Sequence, residues 1–141
     1  MKRVLFLCTG NACRSQMAEG WTRHLHGDFI EPFSAGTDPR GLDPRAVQVM
    51  GEAGVDISTQ RSKHVDELLE MDFDKVVTVC DAAAESCPIF PRPVPKLHRG
   101  FQDPPALAAR ATSEEDALKH YRRVRDEIRD FVSTLPDQLK A

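Results

Sequence analysis

The chain has 141 residues, 40% hydrophobic and 29% charged, with a net charge of −3 at pH 7. That length suits one domain, spanning 1–141, that buries its own core without disulfides or a structural metal. The mildly acidic balance gives no footprint for nucleic acid or an anionic membrane, and no apolar run reaches the roughly 20 residues that span a bilayer. An anionic ligand therefore has to be held by local positive groups.

The chain begins with a basic and then apolar stretch, like a signal peptide. The apolar part stops at Thr9-Gly10-Asn11 and runs into Arg14, too short for a leader core. The expectation is a buried strand, Val4-Leu5-Phe6-Leu7, in a cytoplasmic protein. Thiols stay reduced there, so the four cysteines, Cys8, Cys13, Cys80 and Cys87, are read as catalytic or metal-binding. After a tight loop, Arg14 to about His26 reads as a helix with Met17, Trp21 and Leu25 on one face, closed by Gly27. Phe29 to Ser34 is a second strand despite Pro32. Asp43-Pro44 opens the next helix as N-cap and first helical residue, and Gly54 stops it. Val65 to Met71 is a short third helix. Val76 to Cys80 is a buried strand, and Lys96 to His98 a short one within a proline-rich stretch over 88–106. The final helix starts at Ser113 with an acidic first turn and runs to about Leu135. This order predicts an α/β fold: a single domain with a central four-stranded parallel sheet flanked by helices.

The most informative segment is the junction of the first strand and helix, Cys8-Thr9-Gly10-Asn11-Ala12-Cys13-Arg14-Ser15. Five residues between a cysteine and an arginine can curl into a nest of inward N–H groups, to which the helix adds its own free N–H groups and positive dipole end. Gly10 and Asn11 tolerate left-handed conformations. Arg14 can grip a tetrahedral oxyanion through two parallel hydrogen bonds. The same field favours a Cys8 thiolate, expected at a pKa of about 3.5–7.5, with Ser15 donating to it. The loop thus binds an oxyanion and presents a nucleophile to its central atom. A lone buried cysteine at a strand end is usually inert; this setting argues for function. Cys13 is assigned no role beyond packing under the loop.

Cys80 also ends a strand. In a parallel sheet both strand ends reach one edge, so Cys8 and Cys80 can approach each other. Cys87 follows across Asp81-Ala82-Ala83-Ala84-Glu85-Ser86, a weakly pinned turn or two of helix that can open locally. The pair suits sequential thiol–disulfide exchange, or is two unrelated packing cysteines; the residues alone leave both open. The spacings do not form a common structural zinc pattern. Asp103, before Pro104 and Pro105, is either a turn residue or a general acid.

The stretch from Cys8 to Gly20 resembles the phosphate-binding loop of low-molecular-weight protein tyrosine phosphatases, and more closely that of the thioredoxin-coupled arsenate reductases sharing their fold. The likeness continues through Phe33-Ser34-Ala35-Gly36-Thr37, Asp56-Ile57-Ser58, Val76 to Pro88 and Gly100-Phe101-Gln102-Asp103-Pro104, covering essentially the whole chain. It implies arsenate reduction, with weaker binding of phosphate or other tetrahedral oxyanions, no cofactor, and thioredoxin as partner; neither nucleic acid nor membrane is implied. It further implies that Cys80 attacks the Cys8 sulfur, that Cys87 resolves the disulfide, and that Asp103 is the acid. In part of that reductase family, residues like Asn11, Glu19 and Ser34 help hold a potassium ion. Here Arg61 and Lys63 stand where those relatives carry Thr and Asp, so no metal is expected. The alternative is a tyrosine phosphatase, which needs Cys8, Arg14 and Asp103 but has no use for Cys80 and Cys87. Such phosphatases usually carry an aromatic residue after the Asp-Pro, where this chain has Pro105. A third reading is an oxyanion-binding or redox-sensing module without turnover.

Overall fold

A computed structural model describes residues 1–85, 87–88 and 90–140. Four strands, β1 (Lys2–Cys8), β2 (Ile30–Gly36), β3 (Lys75–Thr78) and β4 (Lys96–His98), form one sheet in the order β2-β1-β3-β4. All three pairings are parallel, as the alternation of strand and helix signals requires. β1 is central, and Val4, Leu5, Phe6 and Leu7 are wholly buried, which explains their unbroken apolar run. β2 lies at one edge, so Pro32 is tolerated despite its missing N–H. The chain leaves β1 toward β2 on one side, while β3 lies on the other. The crevice at such a reversal, outside the C-terminal strand ends, is where α/β sheets place ligands. Register pairs Leu7 with Thr78, so Cys8 and the Val79-Cys80 continuation of β3 emerge together there.

The helices are α1 (Arg14–His26), α2 (Pro44–Glu52), α3 (Asp81–Glu85), α4 (Pro104–Ala108), α5 (Glu114–Ser133) and α6 (Leu135–Gln138). α5 packs on α1, α2 and α4 through Leu118, Tyr121, Val124, Ile128 and Val132, and α1 packs on β1 and β2. Ser113 caps α5, accepting from the Asp116 N–H at 3.0 Å, and Asp43 caps α2, accepting from Arg45 N–H at 2.9 Å.

Several expectations are refined. The α1 stripe ends at Trp21; Leu25 is 39% exposed. Gly27 closes α1 in a right-handed conformation, not a left-handed one. Its lack of a side chain serves packing: a Cβ would lie 2.4 Å from the Arg23 carbonyl oxygen. The segment after His64 is a 3-10 turn, Val65–Leu68, rather than an α-helix to Met71. α5 stops at Ser133 and a separate short helix begins at Leu135, with Pro136 in its first turn, because proline cannot continue the hydrogen-bond ladder of α5. α4 was not anticipated, although Asp103-Pro104 repeats the Asp43-Pro44 pattern that marks α2. α3 spans Asp81–Glu85, while Ser86, the last residue of the expected helical segment, lies outside the described residues.

Candidate active site

The loop between β1 and α1 owes its shape to a second segment lying along its outer side. The carbonyls of Cys8, Thr9, Gly10 and Ala12 accept from the N–H groups of Thr37, Asp38, Arg40 and Asp43, at 3.3, 2.9, 2.9 and 2.9 Å. The Asn11 carbonyl accepts from Gln16 Nε2 at 2.9 Å. Five consecutive carbonyls are thus tied outward, which leaves the N–H groups for the cavity side, as an anion nest requires. Asn11, wholly buried, adopts φ of +46°, the left-handed residue the loop needs. Its Nδ2 donates to Ser15 Oγ at 2.9 Å, and its Oδ1 accepts from the Lys63 N–H at 2.9 Å and Gln16 Nε2 at 3.1 Å. Gly36 allows the end of β2 to approach: a Cβ there would meet the Thr9 carbonyl oxygen at 2.4 Å.

The loop floors a cavity of about 330 Å³, lined also by Arg14, Arg40–Pro44, Asp103 and Pro105. Arg14 is largely buried. Its Nη1 donates to the Phe101 carbonyl at 2.9 Å, and its Nη2 lies 3.5 Å from Asp103 Oδ1. The late loop and the Cys8 loop are therefore joined through this guanidinium. Asp103 sits at the N-cap position of α4, half-exposed, with its carboxylate facing the same cavity as Cys8.

Cys8 and Cys80 are both buried, and each is the largest single influence on the other's acidity. That influence runs in opposite directions. It pushes Cys8 above the ordinary thiol range, as does burial, against the Arg14 charge and the Thr9 N–H. It pulls Cys80 down to about 5, helped by Thr9 Oγ1 at 3.4 Å and by the Ala83 N–H at the start of α3. Cys80 thus occupies the helix-capping position, where free N–H groups favour a thiolate. The sequence reading favours a Cys8 thiolate; in the structure Arg14 and the Thr9 N–H act in that direction, while the Cys80 thiol and burial act against it. The sequence alone could not fix that thiol partner beside Cys8.

Cys87 is half-buried, and burial raises its thiol above the ordinary value, opposed by Lys96. Cys13 is buried under the loop, and desolvation pushes it well up. Asp81, the residue after Cys80, is held by His98: Nε2 lies 2.9 Å from Asp81 Oδ1, and Nδ1 lies 2.8 Å from Thr78 Oγ1. Tyr121 on α5 donates to Asp43 Oδ2 at 2.6 Å and braces the outer segment. None of the outer segment, His98 or Tyr121 stood out in the sequence as a site residue. Their signals are contacts across 17 to 78 positions, with no local motif.

Ser34 Oγ donates to Glu19 Oε1 at 2.6 Å, and Arg23 Nη2 pairs with Glu19 Oε2 at 2.8 Å. Asn11's polar side-chain atoms are taken by Ser15, Gln16 and Lys63. Both oxygens of the one carboxylate are thus occupied, with an arginine on it, so these three residues do not fit a potassium ion. Among the described residues no group of three or more His, Cys, Asp or Glu side chains is placed to hold a metal ion.

A model of the low molecular weight phosphotyrosine protein phosphatases matches residues 3–141. The chain belongs to this family. Within it, the chain is 48% identical over 138 residues to an arsenate reductase of Bacillus subtilis strain 168, covering 94% of this chain and 96% of that one. A solved arsenate reductase in its oxidised state superposes with a TM-score of 0.77 at 27% identity, covering 99% of this chain and all of that one. A low molecular weight protein tyrosine phosphatase from T. tengcongensis does so with a TM-score of 0.76 at 26% identity, covering 98% and 99%. The fold is therefore common to both chemistries, and choosing between them falls to the site.

Proposed function

We propose that this protein is an arsenate reductase in which Cys8, Cys80 and Cys87 pass oxidation outward to thioredoxin. The observation that carries this reading is the placement of a second buried thiol, Cys80, beside the oxyanion cradle, with its sulfur 3.4 Å from Thr9 Oγ1, the residue next to Cys8. A phosphatase has no use for a second thiol there, whereas a reductase must dispose of an oxidised sulfur. The relatives named arsenate reductase support the same choice. So does Pro105, which lines the cavity where a phosphotyrosine ring would call for an aromatic partner.

Arsenate sits in the loop, held by its N–H groups and the Arg14 guanidinium. The proton shared by the two sulfurs moves to Cys80, making Cys8 the thiolate. Cys8 Sγ bonds to arsenic while an As–O bond breaks, and Asp103 protonates the departing oxygen. Cys80 gives that proton up to water and, as the thiolate, attacks Cys8 Sγ. The S–As bond breaks with its electron pair left on arsenic, so As(V) becomes As(III) and arsenite departs. A Cys8–Cys80 disulfide remains. Cys87 attacks Cys80 Sγ, Cys8 leaves as thiolate, and thioredoxin supplies the two electrons that reduce Cys80–Cys87. The five-residue α3 between Cys80 and Cys87 is short enough to reorganise at small cost.

The test is arsenate turnover with thioredoxin and thioredoxin reductase. Wild type should turn over repeatedly, and Cys80→Ser and Cys87→Ser should stop after at most one arsenite per enzyme. Multiple turnovers by both variants would refute the relay. Strong phosphotyrosine hydrolysis without arsenate reduction would make the protein a phosphatase.

A further inference from the structure

The charges around the cavity do not balance for a dianion. The Arg14 guanidinium is already engaged, with Nη2 3.5 Å from Asp103 Oδ1. Asp43 lines the wall as well. The whole chain, at −3, supplies no attractive field. Arg14 also already donates Nη1 to the Phe101 carbonyl. A second positive group at the cavity would add to the loop N–H groups and Arg14 in holding a tetrahedral dianion.

Among the described residues that line the cavity, two are cations, Arg14 and Arg40. Arg40 comes from the outer segment, and its backbone N–H is fixed to the Gly10 carbonyl at 2.9 Å. Its side-chain stem lies over Gly10: a Cβ at that glycine would be 3.5 Å from Arg40 Cδ. The base of the side chain is therefore anchored on the cradle. Its guanidinium pairs with Asp38, two residues earlier, at 3.2 Å, and both side chains are about two-thirds exposed (68% and 67%). An exposed pair of that kind contributes little and exchanges partners readily. A guanidinium fork matches two oxygens of a tetrahedral anion.

We infer that Arg40 is a second oxyanion-binding residue, which leaves Asp38 for the bound anion and gives the site its preference for small inorganic dianions. It closes over the side of the anion remote from Cys8, so it strengthens capture and leaves the attack on the central atom to the loop below. The role assigned to arsenate here rests on the reductase reading, but the binding of a tetrahedral dianion does not.

The experiment uses inorganic phosphate at mildly alkaline pH, titrated calorimetrically into the reduced full-length protein. Arg40→Met should raise the phosphate Kd by roughly three- to tenfold, between the worth of an exposed pair and that of a charge-assisted hydrogen bond. Arg40→Lys should recover part of the loss. Asp38→Asn should tighten binding, because it frees Arg40, and that gain should vanish when Arg40→Met is also present. Arg129→Ala, which removes an equally charged exposed side chain on α5, should leave phosphate binding as in wild type. In arsenate turnover, Arg40→Met should raise KM by a similar factor with kcat retained. Unchanged phosphate binding in Arg40→Met overturns the assignment, as does an Asp38→Asn gain that persists without Arg40, or no phosphate binding by wild type. Wild type that shows the full binding pattern but reduces no arsenate would sink the reductase reading and leave Arg40's role intact.

Discussion

Removing either member of the Cys8–Cys80 pair tests whether the two sulfurs share one proton. With Cys80 at about 5 and Cys8 above the ordinary thiol range, the pair is singly ionised across the whole neutral region. Cys13 and Cys87 are both raised by burial and stay protonated through this window, so the pair's signal stands alone. Ultraviolet thiolate absorbance of the reduced protein should therefore show one thiolate appearing with a midpoint near 5. Cys8→Ala deletes the strongest influence lowering Cys80, so the midpoint should rise. Cys80→Ala deletes the strongest influence raising Cys8, leaving burial against Arg14, so Cys8 should ionise at lower pH than in wild type. The sign for activity follows directly. As pH falls through about 5 the pair becomes neutral, the nucleophile is lost, and arsenate kcat/KM should fall with it. A wild-type thiolate midpoint in the ordinary range, or one that Cys8→Ala leaves in place, would refute the shared proton.

Tyr121→Phe strips the 2.6 Å donor from Asp43 and should cost about 1–2 kcal/mol in urea unfolding. A loss under about 0.5 kcal/mol would mean that water replaces the hydroxyl freely. Gly36→Ala forces a Cβ to within 2.4 Å of the Thr9 carbonyl, so it should destabilise by about 1–3 kcal/mol and weaken phosphate binding measured by calorimetry. Wild-type stability and affinity would show that β2 can shift without disturbing the cradle. His98→Ala releases Asp81 and Thr78, and hydrogen exchange at the α3 amides should quicken severalfold while the β1 amides stay as in wild type. Equal exchange in α3 would show that His98 does not pin the Cys80 segment.

Much of the fold follows from short-range signals. An unbroken apolar run at Val4–Leu7 makes a central strand, and Asp43-Pro44 makes a helix start, because each depends on neighbouring residues alone. The expectations that needed refinement turn on backbone geometry within a turn of chain, which residue types alone do not specify. Gly27 reads as a left-handed cap in the sequence, yet what it avoids is a clash within the turn above. Val65–Leu68 carries helical spacing but tightens to a 3-10 turn once His64 caps it. In the site the division is similar. Cys8 and Arg14 are legible because strand, loop and helix are contiguous. The segment that shapes the loop, Thr37 to Asp43, has no signature, because it acts through backbone N–H groups that any residue but proline supplies.

That division bears on how one frame carries two chemistries. The outer segment, Gly36 and Asn11 build a nest indifferent to whether phosphorus or arsenic lies at the anion's centre. A phosphatase can discharge its covalent intermediate with water, because phosphorus keeps its oxidation state. A reductase has to take the sulfur away with an electron pair left behind, which requires a second thiolate within reach of the first. The Cys80 position supplies it at the end of β3, under the influence of Thr9 and the α3 N-terminus, with no change to the cradle. Two surrounding features suit such a relay: His98 fixes the start of the segment through Asp81, and α3 beyond it is a single short turn.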